Sequence, residues 1–265
     1  LVDIFGGMDD LRAGIIRCVG NAQARFSEDA LRILRGIRFA AQLGFELEDE
    51  TREGMRLLAP TLRKISAERI QVELVKTLTS SRPDLLREAW KLGITKEFLP
   101  EFDLAMETTQ ETVHHMYTVG EHILHTLLEV RPDRILRLTM LLHDIGKPYM
   151  KTMDADGVAH FKGHPEKSSE LANEILHRLK FDNDTIRKVT KLVRYHDHRM
   201  PVTPAHVRRA VHEIGEDLFP LYLEVRRADV AAQSMYQHKE KVADIDGVEK
   251  LYHEIMERKE CVSLK

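Results

Sequence analysis

Leu141-Leu142-His143-Asp144-Ile145-Gly146-Lys147 is the stretch from which the fold of this chain is read. It sets an imidazole and a carboxylate side by side at the end of an apolar run. Such groups are costly to bury unless a metal ion or a comparable partner compensates their lost hydration. Upstream, residues 135–143 read as a largely apolar helix, closed by Lys147-Pro148 because the position before proline is steered away from helical dihedrals. Further upstream, His115, Val119, His122 and Thr126 fall on one helical stripe in a segment that starts at Thr112. Downstream, residues 149–163 carry Asp154-Ala155-Asp156-Gly157 at their centre, which suits a hairpin turn or a mobile loop beside a site. Helical periodicity resumes over 165–179, 183–196, 204–214, 218–233 and 239–256. Strand-like alternation is nearly absent, so the expected fold is all-α.

A chain of 265 residues can bury a sizeable core and is expected to divide into two or three units. With 43% hydrophobic and 31% charged residues, the composition is that of a globular protein, and no apolar run approaches the roughly 20 residues of a membrane span. Cys18 and Cys261 form no CxxC pair, which argues against a thiolate metal site or a disulfide framework and suggests a reducing, cytoplasmic compartment. No secretory leader is seen, and the chain opens on Leu1 rather than methionine, a hint of sequence upstream. The net charge of -3 excludes a uniformly basic surface while leaving room for a local basic face. Arginine is frequent in the first forty residues and histidine concentrates after residue 113, which points to two chemical regions. We place the boundary so that residues 1–105 form one region and 106–265 the other.

In the first region, the pattern becomes strongly helical from Ser27 and runs on through Ala41. Arg25, Asp29, Arg32 and Gly36 share a face, with Glu28 and Arg35 on its flank, while Ala30, Ile33, Leu34, Ile37 and Ala41 turn inward. Two readings fit the polar face. Solvated i,i+3 and i,i+4 pairs are each worth only about 0.2–0.5 kcal/mol. A nucleotide-reading surface would instead use the carboxylate and guanidinium groups against a base edge and phosphate, with Gly36 admitting a flat ligand. Arg38 lies off this face. Helices are also expected over 48–58, ending before Pro60, and over 66–78 with Ser66 as cap, where Arg69 needs only solvation. Short helices fit 83–92 and 95–99, Trp90 is expected in the core, and 100–110 read as a linker.

In the second region, two histidines and two aspartates offer nitrogen and oxygen donors for a divalent ion. The leading set is His115, His143, Asp144 and Asp229, the last from Arg227-Ala228-Asp229-Val230. His164, and His196 or His198, are available for a second ion bridged by Asp144. Two such ions would clamp the attacking and leaving oxygens of a phosphoryl transfer. Lys147 is either a phosphate contact or a simple helix-end charge. His122 and His114 read mainly as ordinary hydrogen-bonded or surface histidines.

The run from Leu142 to Lys147, with His115 before it and Asp229 after it, resembles the HD superfamily of metal-dependent phosphohydrolases. That resemblance implies that His115, His143, Asp144 and Asp229 are metal ligands, with His164 and His196 matching the extra histidines of binuclear members. Asp3-Ile4-Phe5-Gly6-Gly7, Arg25-Phe26-Ser27-Glu28-Asp29-Ala30-Leu31-Arg32 and Arg38-Phe39-Ala40-Ala41 are similar to the neck of bacterial tRNA nucleotidyltransferases and poly(A) polymerases. By that resemblance Asp29 and Arg32 read the incoming CTP or ATP, supported by Arg25 and Arg35. The nucleotidyl-transfer motifs of the family's catalytic head are not found in these residues, so the fragment is not expected to add nucleotides by itself.

Three functions follow as expectations. A longer parent would add CMP and AMP units to a tRNA or other RNA 3′ end, using Mg²⁺ with CTP and ATP. The histidine-rich region would hydrolyse phosphoesters with His143, Asp144 and Lys147 as catalytic groups and Mg, Mn, Ni, Fe or Zn as the ion. Or the helical body would only grip tRNA, with Arg208-Arg209 and Arg226-Arg227 meeting phosphate. No membrane partner is expected, and the sequence leaves the oligomeric state open.

Overall fold

The computed structural model describes residues 3–112 and 116–258. Among these the chain is almost entirely helical, as expected. The first region comprises α1 (Gly7–Ala13), β1 (Ile15–Ile16), α2 (Ala22–Glu28), α3 (Leu31–Leu43), β2 (Glu46–Leu47), α4 (Asp49–Leu58), α5 (Ala67–Leu78), α6 (Leu86–Lys91) and α7 (Pro100–Glu107), with short 3₁₀ turns between them. β1 and β2 form one short parallel pair, Ile15 opposite Glu46 and Ile16 opposite Leu47.

The second region comprises α8 (Val119–Glu129), α9 (Arg134–Leu142), α10 (Lys147–Met150), the antiparallel hairpin β3 (Thr152–Met153) and β4 (Ala159–His160), α11 (His164–Arg178), α12 (Asn183–Tyr195), α13 (Pro204–Ile214), α14 (Phe219–Ala231) and α15 (His238–Glu257). One apolar cluster runs from Phe26 through α3, α5, α7, α8, α9, α11 and α12 to Ala228, so both regions share it. A second cluster, centred on Phe219 and Tyr222, joins α13, α14 and α15.

Three local expectations are corrected. The helix expected to run on from Ser27 breaks at Asp29, whose extended backbone (φ -149, ψ 102) ends α2 while its Oδ1 accepts from Leu31 N and helps to start α3. A short side-chain acceptor at a break competes with the helical ladder in this way. Residues 100–107, read as linker, form α7, since Pro100 occupies the first helical turn, where its missing N–H costs nothing, and Phe102, Ala105 and Met106 are buried. The helix expected from Thr112 starts at Val119, capped by Thr118 Oγ1 accepting from Glu121 N. Trp90 is only partly buried against the core.

Candidate metal centre

The second region's chemistry begins with helix ends. α9 is buried along Leu136 to Leu142 and runs directly into His143 and Asp144, which are themselves 0% and 1% exposed. The turn that follows packs against α11 so closely that a Cβ on Gly146 would stand 2.5 Å from Ser168 N. Gly146 N donates to Ser168 Oγ at 2.9 Å. Only glycine permits that approach, and through it the His143-Asp144 turn is held against the helix that starts at His164.

Four imidazoles converge there. His143 Nδ1 donates to Met140 O at 2.7 Å, His196 Nδ1 to Val193 O at 2.7 Å and His164 Nδ1 to Phe161 O at 2.9 Å. His122 Nδ1 faces Ala232 O at 3.4 Å. With Nδ1 carrying the proton, each Nε2 presents a lone pair. His122 and His143 bring their Nε2 atoms within 3.3 Å of each other, and His164 and His196 within 3.2 Å.

Asp144 stands between the two pairs. Its Oδ2 lies 3.5 Å from His122 Nε2 and 3.4 Å from His143 Nε2. Its Oδ1 lies 3.3 Å from His164 Nε2 and 3.4 Å from His196 Nε2. Asp229 completes the first group, with Oδ1 at 3.0 Å from His122 Nε2 and 3.8 Å from His143 Nε2. Two donor sets, buried but for the partly exposed His164, therefore meet at one bridging carboxylate, His122 with His143 and Asp144, and Asp144 with His164 and His196.

The residues fit divalent ions. Both Asp144 oxygens are buried without a well-aligned hydrogen bond, although Lys147 Nζ approaches Oδ2 at 2.7 Å as an ion pair. A buried carboxylate in that condition is expensive unless further positive charge reaches it. Burial alone would raise the Asp144 pKa; Lys147 and the facing histidines overcome it and hold the carboxyl well below its usual range. Asp229 is likewise held low, its burial outweighed by His122 and His143. Burial pulls His143 below its ordinary value, whereas in His196 the Asp144 carboxylate overcomes burial and raises it. Nitrogen and oxygen donors of this kind suit a divalent ion.

The centre opens into a cavity of about 450 Å³ lined by Lys147, His160, Phe161, Lys162, Arg199 and Gln233, besides Asp144, His164, His196 and Asp229. Lys147 Nζ also donates to Gln110 Oε1 at 2.9 Å, so the ammonium is held at the wall beside Asp144. The β3–β4 hairpin supplies the rim, and His160 there pairs with Asp154 at 2.7 Å.

Of the sequence candidates, His143, Asp144, Lys147, His164, His196 and Asp229 are brought together. His115 lies outside the described residues. His198 belongs to neither donor set, and its ring stands edge-on to Tyr195 with centroids 5.8 Å apart. His122 is the residue that sequence reasoning passed over. Its signal was an imidazole among Val119, Ile123 and Leu124, all fully buried on one short helix.

In the first region Glu28 Oε2 accepts from Arg25 Nη1 at 2.7 Å and from Arg32 Nη1 at 2.6 Å, and Arg32 Nη1 also reaches Arg25 O at 2.8 Å. Asp29 Oδ2 accepts from Arg69 Nη2 at 2.9 Å, so Arg69 does more than solvate its helix. Arg35 and Arg38 face the buried carboxylate of Glu73, with Nε at 3.7 Å and 3.2 Å from its oxygens. The space beside Gly36, expected to admit a flat ligand, is filled by the Met55 methyl group.

Residues 44–106 match the family described as the probable RNA and SrmB-binding site of polymerase A, and residues 112–230 match the HD domain. The chain is 36% identical over 244 residues to the A-adding tRNA nucleotidyltransferase of Deinococcus radiodurans, covering 86% of this chain and 55% of that protein. It is 35% identical over 236 residues to the CC-adding tRNA nucleotidyltransferase of Thermus thermophilus, covering 84% of this chain and 54% of that protein. The chain thus spans about half the length of these curated relatives. Among solved structures, the CCA-adding enzyme of Bacillus stearothermophilus in complex with CTP aligns with 97% of this chain and 54% of its own, at a TM-score of 0.59 and 22% identity, a likeness of fold. These matches describe an all-α neck and body fused to an HD-superfamily domain, and along most of its length the chain matches tRNA nucleotidyltransferases.

Proposed function

We propose that the chain is the neck, body and HD portion of a tRNA nucleotidyltransferase, with residues 1–105 choosing the nucleotide and 106–265 forming the HD unit. The observation that carries this reading is that similarity to relatives named for adding A and CC to tRNA extends through both regions. Asp29 and Arg32 would offer a carboxylate and a guanidinium to the base edge of CTP or ATP, with Arg25, Arg35 and Arg69 near the phosphates. Glu28 holds Arg25 and Arg32 together in exposed ion pairs, which water and a ligand can exchange at little cost. Transfer to a tRNA or other RNA 3′ end would use Mg²⁺ and a nucleotidyltransferase head, in the cytoplasm. The test is CTP against ATP incorporation by an Arg32→Ala enzyme that carries such a head. Unchanged selectivity rejects the assignment.

A second reading concerns the HD unit by itself, and the two donor sets around Asp144 favour it. His122, His143, Asp144 and Asp229 would hold one divalent ion, and Asp144, His164 and His196 a second. His115 remains a sequence candidate, while the geometry supports His122 as the first-ion histidine. A bound ion supplies Lewis acidity toward a phosphoryl oxygen and acidifies a water. The chain's own residues would orient the substrate: Lys147 offers its ammonium beside Asp144, and Lys162 and Arg199 add positive charge along the cavity. This supports a phosphomonoesterase or phosphodiesterase acting on nucleotides or RNA ends. Assays with Mn²⁺, Ni²⁺ or Mg²⁺ on 2′,3′-cyclic nucleotides and simple phosphates test it, and turnover unchanged in Asp144→Ala would remove it.

A further inference from the structure

Asp229 uses its two oxygens differently. Oδ1 faces His122 Nε2 at 3.0 Å, whereas Oδ2 accepts from Gln233 Nε2 at 2.9 Å. Gln233 follows one turn later, just beyond the end of α14. Its Oε1 in turn accepts from Lys241 Nζ at 2.8 Å, a buried ammonium in the first turns of α15. An ammonium can only donate and a carboxylate can only accept, so the amide between them has one orientation, nitrogen toward Asp229 and oxygen toward Lys241.

We infer that Gln233 and Lys241 are a positioning relay that sets the rotation of Asp229, so that Oδ1 is presented toward a divalent ion shared with His122, His143 and Asp144. This rests on the metal-centre reading above. Neither side chain belongs to the donor sets; both act through Asp229. Gln233 also lines the cavity, half-buried, and its amide hydrogen holds Oδ2 of Asp229 at 2.9 Å. Partners of this outer kind, which hold a ligand's second atom, commonly change metal affinity by about 10–100-fold when removed. The relay ties that affinity to the packing of α15, which starts at His238, 116 positions after His122, and supplies no residue of the two donor sets.

The experiment uses the whole chain and measures Mn²⁺ binding by titration calorimetry and the visible absorption of bound Co²⁺. Gln233→Leu keeps the bulk and loses the donor; Lys241→Met keeps the stem and frees the amide to turn. Gln233→Leu is expected to weaken Mn²⁺ binding about tenfold or more and to alter the Co²⁺ band. Lys241→Met is expected to have a smaller effect in the same direction. The double variant should bind no more weakly than Gln233→Leu, because both changes break one connection. Wild-type affinity in a folded Gln233→Leu protein overturns the relay, as do additive losses in the double variant. If Gln233→Leu does not fold, Lys241→Met decides, and an unchanged affinity there overturns it. Wild-type protein that binds neither Mn²⁺ nor Co²⁺ overturns the metal centre itself, a result separable from failure of the relay alone.

Discussion

The arginine-rich surface around α2 and α3 and the centre around Asp144 both consist of acids facing bases, yet they are opposite in kind. At the neck, Arg25, Arg32 and Glu28 pair in solvent, with side chains 31–52% exposed, and every charge has a partner that water can replace. At the centre, His143 and Asp144 are buried, and the carboxylate lacks a well-aligned donor. The first arrangement is cheap to rearrange and suits reading a ligand that comes and goes. The second is costly without added positive charge and suits holding an ion in place.

The comparison breaks first at Asp144. Asp144→Ala removes the carboxylate common to both donor sets and is expected to lower divalent-ion affinity by more than about 100-fold, beyond the range that outer partners alone produce. Calorimetric titration checks it. The same ions should raise the unfolding temperature of the wild-type chain, by linkage worth about 2.7 kcal/mol at a hundredfold excess over Kd, and leave the variant unmoved.

Two glycines sharpen the comparison at the level of packing. In Gly146→Ala the new Cβ meets backbone, Ser168 N at 2.5 Å and the Lys167 carbonyl carbon at 2.9 Å, which cannot turn aside. A loss of about 1–3 kcal/mol in urea unfolding is expected. In Gly36→Ala the new Cβ meets the end of the Met55 side chain, which can rotate away. Its loss should be under about 1 kcal/mol, and equal losses at the two positions would erase the distinction drawn here.

Arg32→Ala should shift stability by no more than about 0.5 kcal/mol in urea unfolding, because the pair it removes is exposed. A larger loss would mean that the neck is structural rather than poised for a ligand.

The smallest effect lies in acid. Burial tends to raise the Asp29 pKa, but the Leu31 N–H and Arg69 overcome it, so the folded value lies below the unfolded one. Its contribution is complete above the unfolded value and disappears as pH falls from about 4 through the lower folded value. Asp29→Asn should flatten that part of the stability curve by lowering stability at neutral pH while leaving strongly acidic pH little changed, and parallel curves would show that the carboxylate contributes nothing.

The residues that could be read early were those whose meaning is local. His143-Asp144 ends an apolar run and is followed by Gly146, and all of that lies within seven positions. His164 and His196 likewise sit at helix ends marked by Gly163 and by the close of an apolar stripe. His122 was not legible because its partner Asp229 is 107 positions away, and one helix was assumed to carry both it and His115. The actual helix begins only at Val119. At Asp29 a periodic pattern on either side concealed a break that one carboxylate makes by accepting from the backbone two residues on. Residues 100–110 were read as a linker, although Pro100 occupies the first turn of a helix. Gln233 and Gln110 carry no motif, and their importance comes only from the charged groups that tertiary packing sets beside them.

Three of the converging imidazoles take their bearing from a carbonyl three residues earlier, while that of His122 faces Ala232, 110 positions away. The halves of the centre must therefore assemble unequally. His164 and His196 close a loop of 32 residues, whereas His122 and Asp229 close one of 107. By chain entropy the longer closure is dearer by about 1 kcal/mol. The half built on α11 and α12 closes within a local helical hairpin, whereas the half that needs α14 requires the chain to return, so its shape depends on the fold as a whole.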